Sequence, residues 1–438
     1  MKLRTFWLIL VAMAVVRLAL MATVPVFEPS EARYAAISAN MARSGDFVVP
    51  HFTHNLEYQS FDGKPPLVFQ MGGLFCELFG VNEFAVRLFP FLSALLLLVI
   101  LYHTVRKFSD PETGRLAILV CMSCTAFYAA SGICMTDMTL TCCVAGALLL
   151  YQCFLKDFGI GYAAGVMALL GAGMIVKGPV ALVKFALPAF VLAIVTRRWK
   201  GIFNWKWLAT APIFFLIAVP WFVFVEQRNP GAVWYFFYNE NFMRFISHDY
   251  GDKYGAGREA FHGVAVLWAL VATLPWALIP LWDLVRRFKR SHNSNTQQLN
   301  NSNNSLYSSF GFLSLVVITG FWCLTSRVLL YYLFPVIPMF VFFLVLYYRK
   351  DLLWRLVPWS VALTLVVVAG GLVGGMFFSD KMQGAKTEFH PLENHYAYEF
   401  YHGRKPDSEL EKCRKAVQKW RKQREAMKAA ERAKEAEK

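Results

Sequence analysis

Charged side chains are scarce in this sequence. They make up 17% of its residues, where a soluble domain carries roughly 25%, and that shortage excludes an ordinary water-soluble globule. A disulfide framework is also lacking. Nearly all of the nine cysteines sit inside apolar runs, as Cys121, Cys124, Cys142 and Cys143 do. Buried cysteine mostly acts as a small hydrophobe, so Cys121-x-x-Cys124 reads as part of a helix wall rather than a redox or zinc motif. Acidic residues are few enough to leave a net charge of +15. The basic residues fall between apolar runs, however, at Arg106-Lys107, Arg197-Arg198, Arg286-Arg287 and Arg349-Lys350. That placement matches the Lys and Arg of short cytoplasmic loops and argues against nucleic-acid binding. Internal repeats, a mark of many transporters, are missing too.

What is abundant is apolar sequence, with 57% of residues hydrophobic. A spanning helix needs roughly 20 such residues. Continuous runs of this length recur from Thr5 to the stretch before Asp380, and about eleven can be drawn. Continuity rather than alternation makes them helices and not barrel strands. The fold class expected is an all-α polytopic membrane protein, with a transmembrane domain over residues 1–380. The first run, Thr5 to Val24, is read as a retained helix with its N-terminus in the cytoplasm: Arg17 interrupts it, and no small-residue cleavage site follows.

Three outward segments then break the pattern: a first loop over residues 26–82, a short stretch around Asp137, and a second large loop over 226–260. An Asn/Ser-rich segment, 292–305, reads as a cytoplasmic linker. The tail 381–438 is polar and alternates acidic with basic residues. Helix counting places it outside, whereas its charge suits the inside.

The first loop carries helix signals of its own. Ser30 can cap a helix that runs through Tyr34, Ile37 and Met41 on one face and stops at Gly45. A second helix can start at Pro65-Pro66 and end at Gly80. Asp46 to His51 lies between them and is expected to be extended. Two surface helices over a bundle would roof a cavity open to a lipid from the side and to a polar acceptor from outside.

Ionisable residues collect where the outward helices end. They include Glu28, Glu31, Arg33, His51, Asp62 and Lys64 in the first loop, Asp137, and Lys177 in Val-Lys-Gly-Pro. Glu240, Arg244, His248 and Asp249 follow in the second large loop, then Arg327 ahead of Tyr332. Each has an ordinary explanation: snorkelling for Lys177 and Arg327, capping for Asp137, a favourable helix dipole for Glu31, plain surface groups for His51 and His248. Their convergence on one side favours function, since ionisable groups at membrane depth usually mark a cavity. Cations suit an anionic phosphate; a carboxylate suits an attacking acceptor.

These residues resemble a family. Pro29-Ser-Glu-Ala-Arg-Tyr-Ala-Ala-Ile-Ser, Ser44-Gly-Asp-Phe-Val-Val-Pro-His51, Lys64-Pro-Pro and Leu78-Phe-Gly-Val-Asn-Glu-Phe-Ala-Val-Arg87 look like the opening of polyprenol-phosphate-sugar-dependent, C-fold (GT-C) glycosyltransferases. That group includes the lipid A aminoarabinose transferases and the protein O-mannosyltransferases. The likeness continues through Thr136-Asp137, Val176-Lys-Gly-Pro179, Leu274-Pro-Trp276 and the region to Tyr332.

The resemblance implies transfer of a sugar from a polyprenyl phosphate to a periplasm-exposed acceptor: lipid A, another glycan or a protein. The enzyme would sit in the bacterial inner membrane with its site facing the periplasm. Glu31, with Asp137 and Glu28 beside it, is then expected to serve the acceptor. Lys64, Arg244, Arg327, Tyr332 and Lys177 would hold the donor phosphate, and Arg33, Tyr34 and His51 would contact substrate. Departures concern a metal. The family's Asp-Glu is Ser30-Glu31 here, its Phe-Glu-Lys-Pro is Phe61-Asp-Gly-Lys-Pro, and a His is Asn241. The Glu and His are associated with a bound metal, so no tight zinc is expected; Asp62 and His248 are substitutes for a weakly held divalent cation. The rival classes are a flippase for a lipid-linked sugar, which predicts paired repeats, and a non-catalytic scaffold acting through its tail.

Overall fold

The computed structural model describes residues 3–27, 29–243, 253–254, 260–290, 305–325, 327–378 and 395–419. Glu28, Arg244, His248, Asp249 and most of the linker 292–305 and tail 381–438 lie outside the described residues. The chain is a helical bundle, and among the described residues six helices are long and apolar enough to cross a membrane. They include α1 (Leu3–Thr23), α4 (Glu83–Phe108), α7 (Thr136–Asp157) and α8 (Ile160–Lys177). Two short helices, α5 (Pro111–Met122) and α6 (Thr125–Ala130), lead from α4 to α7. Shorter apolar helices complete the wall, among them α9 (Val180–Thr196). Large apolar side chains such as Leu8, Leu208, Leu216 and Trp359 point outward, as they must where lipid replaces water. The chain is a multi-pass membrane protein.

The apolar window of α7 is 94% buried, against 28% in α1. That difference makes α7 the central pillar, packed between α4, α8 and α9. Helices α7 and α8 run antiparallel through a short connection, so the start of α7 lies beside the end of α8. This topology sets up the site.

The first loop forms two helices near their expected places, α2 (Ser30–Ser44) and α3 (Leu67–Phe79). Gly45 ends α2 at φ 70°, its N–H donating to the Met41 carbonyl. Ser30 makes no capping bond, so the expected cap is corrected. Glu31 reaches back instead and accepts from the Phe27 N–H at 2.9 Å. Burial of α2 is broader than one face: Glu31 through Met41 are buried, apart from a half-buried Arg33. Small residues permit this. A Cβ on Gly72 of α3 would come within 2.6 Å of the Ser38 hydroxyl.

Between the helices lies a two-stranded hairpin, β1 (His51–His54) with β2 (Glu57–Ser60), antiparallel and joined at Asn55-Leu56. Both turn residues have positive φ, 50° and 64°, as a tight two-residue hairpin requires. The β-ribbon is an addition to the helical expectation.

A late helix of the tail, His395–His402, closes over this loop. Glu399 is buried and accepts from Asn40 Nδ2 at 2.7 Å and the Thr53 N–H at 3.0 Å. Arg43 donates to the carbonyls of Glu399 (3.0 Å) and Phe400 (2.7 Å). This part of the tail therefore lies on the same side as the first loop. Burial pushes the Glu399 carboxyl above its ordinary range, despite Asn40, Thr53 and Arg43.

Candidate functional site

A cleft enclosing about 640 Å³, partly open to solvent, lies where α8 gives way to α9. Lys177 ends α8, and Gly178 turns the chain at φ 80°. Any side chain at position 178 would also collide with the Phe236 ring. Val180 and Lys184 of α9, Lys64 ahead of α3, Arg327 and Tyr332 complete one wall. Gly63, Phe236, Glu240, Asn241, Trp322 and Thr325 line the rest.

Four of the five residues expected to hold phosphate thus share one cavity: Lys64, Lys177, Arg327 and Tyr332. Asp137 joins them indirectly. From the first turn of α7 it takes Lys177 Nζ on Oδ1 at 2.5 Å. No capping bond to its own helix is made. Lys177 also lies 4.7 Å from the centre of the Tyr332 ring.

Tyr34 enters through Lys64, which donates to its hydroxyl and covers its ring. Burial alone would raise the Tyr34 phenol; Lys64, Arg33 and Lys177 outweigh it and bring the group below its ordinary value. Arg33 stands over the rings of Tyr34 (5.4 Å), Phe61 (5.7 Å) and Tyr396 (6.0 Å). It belongs to an aromatic layer under the hairpin rather than to the cavity wall.

Two expectations need correction. His51 is not at this cavity: its Nδ1 pairs with the Val49 carbonyl at 2.9 Å and its ring stacks on Tyr58. It lines a separate polar cleft with Asp46, Gln59 and Arg228. The β-hairpin turns it away. Glu31 is the larger correction. It is 2% exposed, and both its oxygens are filled. Oε1 accepts from Arg87 Nε (2.8 Å) and the Cys134 N–H (2.9 Å). Oε2 accepts from Arg87 Nη2 (3.0 Å) and the Phe27 N–H (2.9 Å). Arg87 also donates to the carbonyls of Met21, Val24 and Pro25. Glu31 is therefore a tie between the first loop, α1, α4 and the turn before α7. Two carboxylates stand nearer the cavity, Asp137 and Glu240.

The metal ligands do not fit among the described residues, where no group of three His, Cys, Asp or Glu could hold an ion. Asp62 accepts from Asn229 Nδ2 (2.8 Å) and pairs with Lys253 (3.3 Å). The Asn241 amide donates to the Phe236 carbonyl.

Lys184 was not anticipated. The available signal was a lysine inside the apolar run of α9, and at 1% exposure it is among the most buried charged groups. Arg87 carried a signal as well, since it closes the last of the first-loop motifs.

The family described as dolichyl-phosphate-mannose-protein mannosyltransferase matches residues 63–224. An undecaprenyl phosphate-alpha-4-amino-4-deoxy-L-arabinose arabinosyl transferase from Edwardsiella ictaluri is 29% identical over 260 residues, 58% of this chain and 45% of its own. Its counterpart from Aeromonas hydrophila is 30% identical over 268 residues, 58% of this chain and 46% of its own. The chain spans about half the length of these curated relatives. The crystal structure of ArnT from Cupriavidus metallidurans bound to undecaprenyl phosphate superposes with a TM-score of 0.64 at 24% identity. It covers 90% of this chain and 68% of that one. The fold is the all-α GT-C fold.

Proposed function

We propose that this protein is a glycosyltransferase that takes a sugar from a polyprenyl phosphate and gives it to an acceptor exposed on the periplasmic side of the inner membrane. The observation that carries the reading is the convergence of Lys64, Lys177, Arg327 and Tyr332 on one cavity, beside the roof built by α2 and α3. It is supported by relatives whose names specify an undecaprenyl-phosphate sugar donor.

The acceptor attacks the anomeric carbon, the bond to the phosphate oxygen breaks, and the sugar inverts in a single displacement. The difficulty lies in the negative charge left on the departing phosphate. Preorganised cations around the cavity address that charge directly. Lys64, Lys177 and Arg327 supply it, and Tyr332 offers a hydroxyl. Asp137 has a second role to play beside Lys177. Its Oδ1 fixes the ammonium, and we assign its Oδ2 to orient the acceptor and take its proton. Glu240 faces the cavity and shapes which acceptor enters. Glu31 holds the roof in place.

The acceptor class is lipid A, another surface glycan or a protein, with a pentose or hexose as the sugar. Mass spectrometry of surface glycolipids and glycoproteins from a deletion strain tests the proposal. Loss of one glycoform, restored by the wild-type gene and not by Asp137→Asn, is expected. An unchanged surface with normal expression of the protein would refute it. A flippase would instead leave the glycoform reduced but rescued by any enzyme that delivers the sugar outside.

A further inference from the structure

Lys184 sits one turn into α9, within the apolar sequence Val-Ala-Leu-Val-Lys-Phe-Ala-Leu. Its side chain is almost wholly buried, yet it lines the cavity. The ammonium donates to the Tyr332 carbonyl at 2.9 Å and lies 5.0 Å from the centre of the Trp322 ring. An ammonium has three N–H donors, and one is taken. Among the described residues no carboxylate bonds it, and Asp137 is bonded to Lys177. A buried cation without an anion is costly, and neither the carbonyl nor the ring neutralises it. Such a group is best understood as waiting for an anion that arrives with the ligand.

The balance of charge around the cavity says what kind of anion. Lys64, Lys177, Lys184 and Arg327 line it, against Glu240 on the wall and Asp137 behind Lys177. Among the described residues, four basic side chains face two acidic ones, and an anion that arrives with the ligand would stabilise the charged form of Lys184. A sugar-loaded polyprenyl phosphate is a phosphodiester with one negative charge. Once the sugar has left, the carrier is a phosphomonoester, whose charge at pH 7 is about −1.5 to −2.

On the reading of the cavity as a polyprenyl-phosphate site, we infer that Lys184 is a phosphate-binding residue whose charge makes the cavity bind the spent carrier more tightly than the loaded donor. Lys184 thereby favours departure of the carrier phosphate from the sugar. It also makes the enzyme sensitive to inhibition by its own product. With Lys184 removed, the described residues keep one surplus basic group, which matches the diester and leaves the monoester partly uncompensated.

The test uses the full chain in lipid nanodiscs at pH 7.5. Three probes are compared: undecaprenyl phosphate, its methyl diester, and neutral undecaprenol. Affinity is read by tryptophan fluorescence, with Trp322 at the site, and by thermal stabilisation. The wild type is expected to prefer the monoester to the diester. Lys184→Met should lose roughly tenfold or more in monoester affinity, as for a lost charge-assisted bond. It should lose less for the diester, so the preference collapses, and its ligand-free melting temperature should not fall. Lys184→Gln provides the same neutralisation should the Met variant insert poorly. Wild-type binding of both phosphates with a preference unchanged in either variant overturns the inference alone. So does a fall in ligand-free melting temperature with affinities intact, which would make Lys184 a structural tie to Tyr332. No wild-type discrimination between either phosphate and undecaprenol would overturn the donor reading itself.

Discussion

Glu31→Gln separates a structural carboxylate from a catalytic one. Glutamine keeps the shape of the side chain but removes its charge and turns one oxygen into an amide. Of the four donors on Glu31, the pair on one oxygen would then face N–H groups: either Arg87 Nε with the Cys134 N–H, or Arg87 Nη2 with the Phe27 N–H. Arg87, 2% exposed, would lose its carboxylate. Arg17, also buried and reaching the Ala129 carbonyl, adds further positive charge nearby. Removing one member of a buried ion pair costs about 3–5 kcal/mol. The carbonyls of Met21, Val24 and Pro25 remain on Arg87 and spread its charge, so the lower end, about 3 kcal/mol, is expected. The melting temperature of the purified protein should fall by about 3 °C, and transfer should fall with the amount of folded protein. The Glu31→Gln/Arg87→Met double variant removes both charges. It should be less destabilised than the two single changes added together, with a coupling of roughly 2 kcal/mol or more. An unchanged melting temperature in Glu31→Gln together with abolished transfer would refute this reasoning and restore Glu31 as the acceptor's base.

Further outcomes follow from the cavity and the tail. Replacing Lys64, Lys177 or Arg327 by Met should each weaken undecaprenyl phosphate binding by roughly 1.5–3 kcal/mol, read as affinity in nanodiscs; unchanged values would remove those residues from the phosphate site. Asp137→Asn should bind donor but slow transfer by about 10²–10⁴-fold, measured in single turnovers, and near wild-type turnover would shift the role to Glu240. Glu399→Ala should loosen the tail helix by about 1–3 kcal/mol, since the Asn40 amide and the Thr53 N–H lose their acceptor; faster hydrogen exchange at residues 395–402 checks it. His395, at the start of that helix, is drawn by burial, with His54 and Arg33 adding to it, from 6.5 down to about 4. A depressed basic group favours the neutral form in the fold. Its contribution is therefore intact above pH 6.5 and lost as pH falls toward 4, by at most about 3 kcal/mol. The raised carboxyl of Glu399 opposes that trend. The difference in exchange between wild type and His395→Phe across this range isolates the histidine, and parallel profiles would eliminate it.

The sequence alone determined what depends on local composition. Apolar runs of spanning length dictated helices, because a backbone in lipid must satisfy its own hydrogen bonds. Gly45 and Pro65-Pro66 placed the two roof helices closely, because turns and helix ends are short-range chemistry. Lys64, Lys177, Arg327 and Tyr332 were legible as charged or polar groups at helix ends on one side. Their meeting in one cavity was decided by packing between elements far apart in sequence.

Tertiary structure decided which partner each charge finds. Glu31 and Arg87 are 56 residues apart, and both belong to the first-loop motifs. Nothing in that pattern distinguishes a carboxylate facing an acceptor from one closed around a guanidinium. The docking of the tail helix joins Asn40 to Glu399 across 359 residues, a contact no local signal encodes. The two-residue turn at Asn55-Leu56 redirected His51 away from the cavity. Lys184 looked like an intrusion in an apolar helix until the bend at Gly178 brought α9 against Tyr332. Hydrophobic length is a property of the chain taken segment by segment. Charge pairing is a property of the packed bundle, where the nearest opposite charge is set by topology rather than by sequence distance.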